Sequence, residues 1–123
     1  GLSLDTLKTG LIHFTHSRQT HLDLNIPARN NRPSFTIKHS KEIKWLGITW
    51  DTKLSFTPHV RKVCAKATKA ANALAILGNS VSGMHQTQRR LIYLGAIVPM
   101  MTYGAPTWWR NKKSHSQLLT RVQ

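Results

Sequence analysis

Lys44-Trp45-Leu46-Gly47-Ile48-Thr49-Trp50-Asp51 gives way to Thr57-Pro58-His59-Val60-Arg61-Lys62-Val63-Cys64-Ala65-Lys66-Ala67, and the spacing of apolar residues changes with it. Before Thr57 apolar and polar residues alternate at strand period; after it they recur at about 3.6 residues, the helical period. Thr57 is placed as N-cap, Pro58 at the first helical position and Gly78 just past the last periodic residue, so this helix has both ends marked. Val60, Val63, Cys64, Ala67, Ala70, Ala71, Leu74 and Leu77 form one apolar stripe. Lys62, Lys66 and Lys69 fall on another face, with Arg61 beside them. Strands followed by helices define an α+β chain: a small antiparallel sheet, then a helical bundle.

Upstream, residues 8–16 (Lys-Thr-Gly-Leu-Ile-His-Phe-Thr-His) and Leu22 to Ile26 read as short strands, the second ended by Pro27. Ala28 to Pro33 is turn chemistry, and Phe35-Thr36-Ile37-Lys38 is a hairpin-like strand exposed on one side. Ile43 to Trp50 reads as a strand in which Gly47 marks a bulge or the close approach of another backbone. Downstream, a second helical pattern runs from about His85 through Leu91, Leu94 and Val98. It carries Arg89 and Arg90 on its first half, is bent by Pro99, and is closed by Gly104 and Pro106. Ser114 to Gln123 is helical and has no cap. No repeat or linker intervenes, so the chain is one unit in two parts, residues 1–56 and 57–123.

Charge is distributed unevenly between these parts. After Asp51 the last 72 positions carry eleven Lys and Arg and no Asp or Glu, whereas the first 51 carry seven basic and four acidic residues, so the formal +14 divides into +3 and +11. Such a segment calls for a polyanion, either nucleic acid or an anionic membrane surface. The run from Leu91 to Trp109 approaches the length of a membrane span, but Gly95, Pro99, Tyr103, Gly104 and Pro106 break it, and a bent, buried helix is the better reading. Gly1-Leu2-Ser3-Leu4 has neither a charged nor an apolar leader segment, so nothing reads as a secretory signal. Both ends look cut from something longer. The lone Cys64 agrees with a reducing compartment, which places the protein inside a cell, in nucleus or cytoplasm.

Several stretches, in order, resemble the reverse transcriptase of non-LTR (LINE-type) retrotransposons, in the C-terminal palm and thumb region. Leu2 to Asp5 with Lys8-Thr9 and Ile12-His13-Phe14 is similar to that family's palm segment, with Asp5 where Asn is usual and Gly10 where Glu is usual. Lys44 to Asp51 resembles the strand pair that holds the primer 3′ end, and Leu54 to Val60 resembles the approach to the first thumb helix. Ala65-Lys66-Ala67, Leu77 to Ser80, Arg90 to Tyr93, Pro99, Tyr103-Gly104-Ala105 and Trp108-Trp109 continue the likeness. The resemblance implies the end of a polymerase palm followed by a thumb-like bundle, within an RNA-directed DNA polymerase of a mobile element. Its partners would be an RNA–DNA hybrid or duplex, bound without regard to sequence, and the remainder of palm and fingers.

By the same resemblance Trp45, Leu46 and Gly47 form a primer grip, and Lys8 aligns with a palm lysine proposed to protonate the pyrophosphate leaving group. Trp45 and Trp50 as plain core residues remain the alternative. Arg61, Lys62, Lys66 and Lys69, with Arg89 and Arg90, are nucleic-acid-binding candidates, because each phosphate contact releases counterions. Polymer synthesis needs carboxylates that hold metal ions, and the only acidic residues are Asp5, Asp23, Glu42 and Asp51. None lies in an Asp-Asp pair or has a carboxylate neighbour within a plausible turn, so the chain alone is expected to bind no cofactor and to be inactive, Mg²⁺ belonging to the complete enzyme. His13, His16 and His21 do not share a strand face and make no zinc site. Cys64, on the packing stripe, is no nucleophile. Of Trp108 and Trp109, beside Arg110, Lys112 and Lys113, one is expected in the core and the other exposed, with a stacking site as the alternative. No membrane and no small-molecule ligand is expected. Two other functions compete with the polymerase piece: a stand-alone basic nucleic-acid-binding module or degenerate element remnant with no catalytic partner, and a cationic helix at an anionic membrane.

Overall fold

A computed structural model describes residues 8–17, 22–29, 33–78 and 83–122. The chain divides into two compact units, Gly1–Ser55 and Phe56–Gln123. The architecture is α+β, with short antiparallel strand pairs in the first unit and helices in the second.

In the first unit β1 (Leu24–Ile26) pairs antiparallel with β2 (Phe35–Ile37), and β3 (Glu42–Trp45) pairs antiparallel with β4 (Ile48–Asp51). The stretch Ile43–Trp50 is therefore not one strand with a bulge but a hairpin. Its two-residue turn is Leu46-Gly47, with φ of 48° and 80°. Positive φ at both central positions is what a mirror-image type I′ turn requires, and it matches the twist of the flanking strands. Glycine accepts that geometry freely, whereas leucine is held there against its preference.

Residues 8–16 do not form the expected strand ladder. Leu11 makes one parallel bridge to His39, the Ser40 N–H donates to the Leu11 carbonyl at 2.8 Å, and the Thr15 N–H donates to Thr52 at 3.0 Å. Apolar side chains at 11, 12 and 14 fall on both faces of an extended chain, so neither face commits it to a register. Gly10 lets this segment approach the hairpin: a Cβ there would sit 2.5 Å from Cδ1 of Ile43.

The second unit is built on α1 (Thr57–Gly78). Its six alanines favour helix, and Pro58 presets the first turn, where its missing N–H costs nothing. The Phe56 carbonyl accepts from the Val60 N–H at 3.0 Å, opening the intrahelical ladder. At the other end the Met84 N–H returns to the Leu77 carbonyl at 3.2 Å.

Next, α2 (Gln86–Ile92) begins with a reciprocal cap: His85 accepts from the Thr87 N–H, and the Gln88 side chain accepts from the His85 N–H. The helix runs on through a π-helical turn (Tyr93–Ile97) into α3 (Val98–Thr102), and the Val98 N–H reaches back five residues to the Tyr93 carbonyl. Pro99 has no N–H to offer the preceding turn, and the widened turn before it accommodates this without ending the helix. Gly104, at φ 65°, starts the short α4 (Ala105–Trp108), and α5 (Lys113–Thr120) follows.

The core of this unit forms where Ala67 of α1 meets Ile97 and Met101, flanked by Val63, Ala70, Ala71, Leu74, Tyr93, Val98 and Leu119. The α1 stripe is thus as the periodicity predicts, except that Leu77 is exposed. The pattern beyond His85 is different. Leu91 and Leu94 face solvent, and the buried line is Tyr93, Ile97 and Met101, so this element is not the buried helix expected.

Candidate nucleic-acid interface

Along α1, Arg61, Lys62, Lys66 and Lys69 are all exposed, while Val60, Cys64 and Ala67 are buried on the opposite side. From Lys62 to Lys69 the axial rise is about 10 Å. One strand of a duplex places a phosphate roughly every 3.4 Å along its axis, so this row matches a run of about three. No Asp or Glu occurs from residue 52 onward.

The two arginines of α2 separate. Arg90 is exposed, whereas Arg89 is half-buried and packs over Gly78, where a Cβ would sit 2.7 Å from Cδ and Cζ of the guanidinium group. A cation at the last turn of α1 complements the negative end of the helix dipole, which gives Arg89 a structural role inside the unit.

Trp108 and Trp109 also divide. Trp108 is 2% exposed, donates from Nε1 to the Tyr103 carbonyl at 2.8 Å and packs against the ring of His59 at 5.4 Å; Trp109 is 40% exposed. The Arg110 guanidinium lies over the Phe56 ring at 5.7 Å. His59 and His115 are buried among these residues, a pair that the sequence reading passed over. His115 Nε2 lies 3.2 Å from Thr57 Oγ1. Burial, helped by the charge of Lys62 and Lys112 respectively, lowers the pKa of both imidazoles. A signal for His59 existed: it stands four residues before Val63 and eight before Ala67, in phase with the stripe. Burial likewise raises the Cys64 thiol, which suits a packing residue.

In the first unit the hairpin presents Trp45, Leu46 and Gly47 to solvent, with Trp45 61% exposed. Trp45 is therefore no core residue, while Trp50 is half-buried. Beside them lies an open groove of about 580 Å³ lined by Lys8, Gly10, Phe14, Ile43, Lys44, Trp45 and Trp50, among others. The fold thus brings two separate sequence candidates, Lys8 and Trp45, to one place.

Asp23 and Asp51 are engaged in local structure, and Asp5 lies outside the described residues. Asp23 Oδ1 accepts from the His39 N–H and lies 2.9 Å from its ring Nδ1, which lowers the Asp23 pKa. Asp51 is buried and accepts from the Ser55 N–H at 3.0 Å. The register places Glu42 directly across from Asp51. Among the described residues no three His, Cys, Asp or Glu side chains gather to hold a metal ion. His13 Nε2 donates to the Leu22 carbonyl at 2.8 Å, and His21 lies outside the described residues. No described helix is long and apolar enough to cross a membrane.

The described residues thus include a helix with an exposed cationic row and a hairpin with an exposed aromatic tip, and comparison with known proteins relates the chain to a family. The chain is 31% identical over 82 residues, 67% of its length, to "Probable RNA-directed DNA polymerase from transposon BS" of Drosophila melanogaster. It is 29% identical over 105 residues, 84% of its length, to "Retrovirus-related Pol polyprotein from type-1 retrotransposable element R1" of Bradysia coprophila. A 115 kDa protein of element R1DM from Drosophila melanogaster is 29% identical over 73 residues. The chain is a relative of the RNA-directed DNA polymerase and Pol proteins of non-LTR retrotransposons. It spans 9%, 10% and 7% of the length of these three proteins. No protein-family model matches it. No solved structure matches it.

Proposed function

We propose that the chain is the palm-end and thumb piece of a retrotransposon reverse transcriptase, and that it grips the template–primer duplex for a catalytic centre located elsewhere in the polymerase. The observation that carries this reading is the row Arg61, Lys62, Lys66 and Lys69: exposed, on one face of a 22-residue helix whose other face is packed, in a region without a single acid. A solvated helix face ordinarily mixes charge signs. One that does not is attracted to phosphates wherever they lie, which gives affinity without sequence preference. Arg90 extends the cationic surface on α2, and the hairpin tip Trp45-Leu46-Gly47 contributes the primer side. Arg89, committed to the end of α1, is not required for contact. The Mg²⁺ chemistry of synthesis belongs to the rest of the polymerase.

The test is binding of the 123-residue chain to a fluorescent RNA–DNA hybrid across a salt series, beside a Lys62→Glu/Lys66→Glu/Lys69→Glu variant. Each phosphate contact contributes roughly 0.9 to the slope of log affinity against log salt, so the variant is expected to bind more weakly and with a slope shallower by about 2 to 3. Equal slopes for the two proteins would remove α1 from the interface.

A further inference from the structure

We infer that the groove beside the β3–β4 hairpin takes an unpaired nucleotide of a single-stranded nucleic acid, its base stacked on Phe14 and Trp45 and its phosphates met by Lys8 and Lys44. This goes beyond duplex binding by α1, on other residues and for a strand in another state. Phe14 is 52% and Trp45 61% exposed, so two large aromatic side chains stand in water rather than in a core. Both neighbour the half-buried Trp50, at 6.3 Å and 6.0 Å between ring centroids, with interplanar angles of 63° and 50°. Trp50 is thus the shared support of two exposed rings.

The groove volume of about 580 Å³ falls within the usual range for small-ligand sites. Its lining contains two lysines and no carboxylate. Aromatic faces interleaved with point cations are the chemistry of single-strand binding, since every base has a π-face and every linkage a phosphate. A paired base already has both faces covered by its neighbours in the stack. Only an unpaired one can offer a face to Phe14 and Trp45. An acidic, apolar protein segment is the competing occupant, and the experiment separates the two.

The 123-residue chain is titrated against three fluorescent probes: a 12-nucleotide oligo(dT), an abasic 12-mer of equal charge, and an RNA–DNA hybrid. Stacking is worth about 1–3 kcal/mol per base, so oligo(dT) is expected to bind at least about fivefold more tightly than the abasic strand. Phe14→Ala/Trp45→Ala is expected to abolish that preference, while Trp45→Phe, which keeps a stacking ring, retains it. Equal binding of base-bearing and abasic strands, or an undiminished preference in the double-alanine protein, would overturn the assignment and leave the groove to a protein segment. The α1 triple-glutamate variant keeps the two readings apart. Loss of hybrid binding with the base preference intact supports both, and intact hybrid binding with the base preference retained sinks only the duplex reading.

Discussion

Both units leave large apolar side chains exposed, but among the described residues the helical unit gathers much the larger buried set. In the helical unit Phe56, Val60, Ala67, Ile97, Met101 and Trp108 are all at most 4% exposed, so the unit closes a core of its own. In the strand unit the fully buried described residues are Ile48, Thr49 and Asp51, and the aromatic side chains Phe14 and Trp45 stand outside. The helices hold themselves together and carry charge on the unpacked face, while the hairpin is held by a turn and a backbone ladder and leaves Trp45 largely exposed beside Trp50.

The contrast can be broken most forcefully at Trp108. Trp108→Ala removes the largest fully buried side chain and is expected to destabilise the helical unit by about 3–5 kcal/mol, read as a lower denaturation midpoint in helical circular dichroism. An unchanged midpoint would mean that this core does not hold the unit together. Next comes Ala67→Leu, at the crossing of α1 with Ile97 and Met101, where overpacking is expected to cost about 1–3 kcal/mol.

Acidification should act on the same unit. Folding lowers the pKa of His59 and His115, so below the unfolded histidine value near 6.5 the unfolded chain binds more protons than the folded one. Their contribution to stability is present above that value and is lost as pH falls from about 7 toward the lowered folded values. Urea midpoints measured from pH 7.5 to 5 should decline, and His59→Gln/His115→Gln should flatten the curve. A decline just as steep in that variant would assign the effect to other groups.

The smallest expected change lies in the hairpin. Leu46→Gly relieves a leucine held at φ 48°, a strain of order 1 kcal/mol partly offset by the greater flexibility of unfolded glycine. The expected result is a net change within about 1 kcal/mol, checked by amide exchange across the β3–β4 ladder.

How much of this could be read in advance follows the same divide. The ends of α1 were legible to within one residue, Thr57 and Gly78 being its first and last helical residues and not its caps, and most of its buried stripe was legible because the alanine and valine spacing points to one helix. The two-residue turn was not, because Leu46 is a poor advertisement for positive φ and Gly47 alone fits a bulge equally well. Leu91 and Leu94 misled because a π-helical turn shifts the phase of the face behind it, and local spacing assumes regular winding. The lysine row of the candidate interface was visible in sequence, since a cation on a helix face needs only its position. The aromatic groove was not, because Phe14, Trp45 and Trp50 are assembled from separate segments by register.

The π-helical turn gives the chain one more property. Tyr93, Ile97 and Met101 are spaced four apart, and in an unbroken α-helix each such step would drift about 40° around the axis. The wide turn from Tyr93 to Ile97 winds part of that drift back, behaving as one surplus residue stored in the helix. Deleting Gly95, whose added Cβ would touch nothing within 4 Å, would remove that surplus and let regular winding resume with the residues on either side still in phase. Ile97 and Met101 would then keep facing α1. The helix stores length without changing which of its residues form the core.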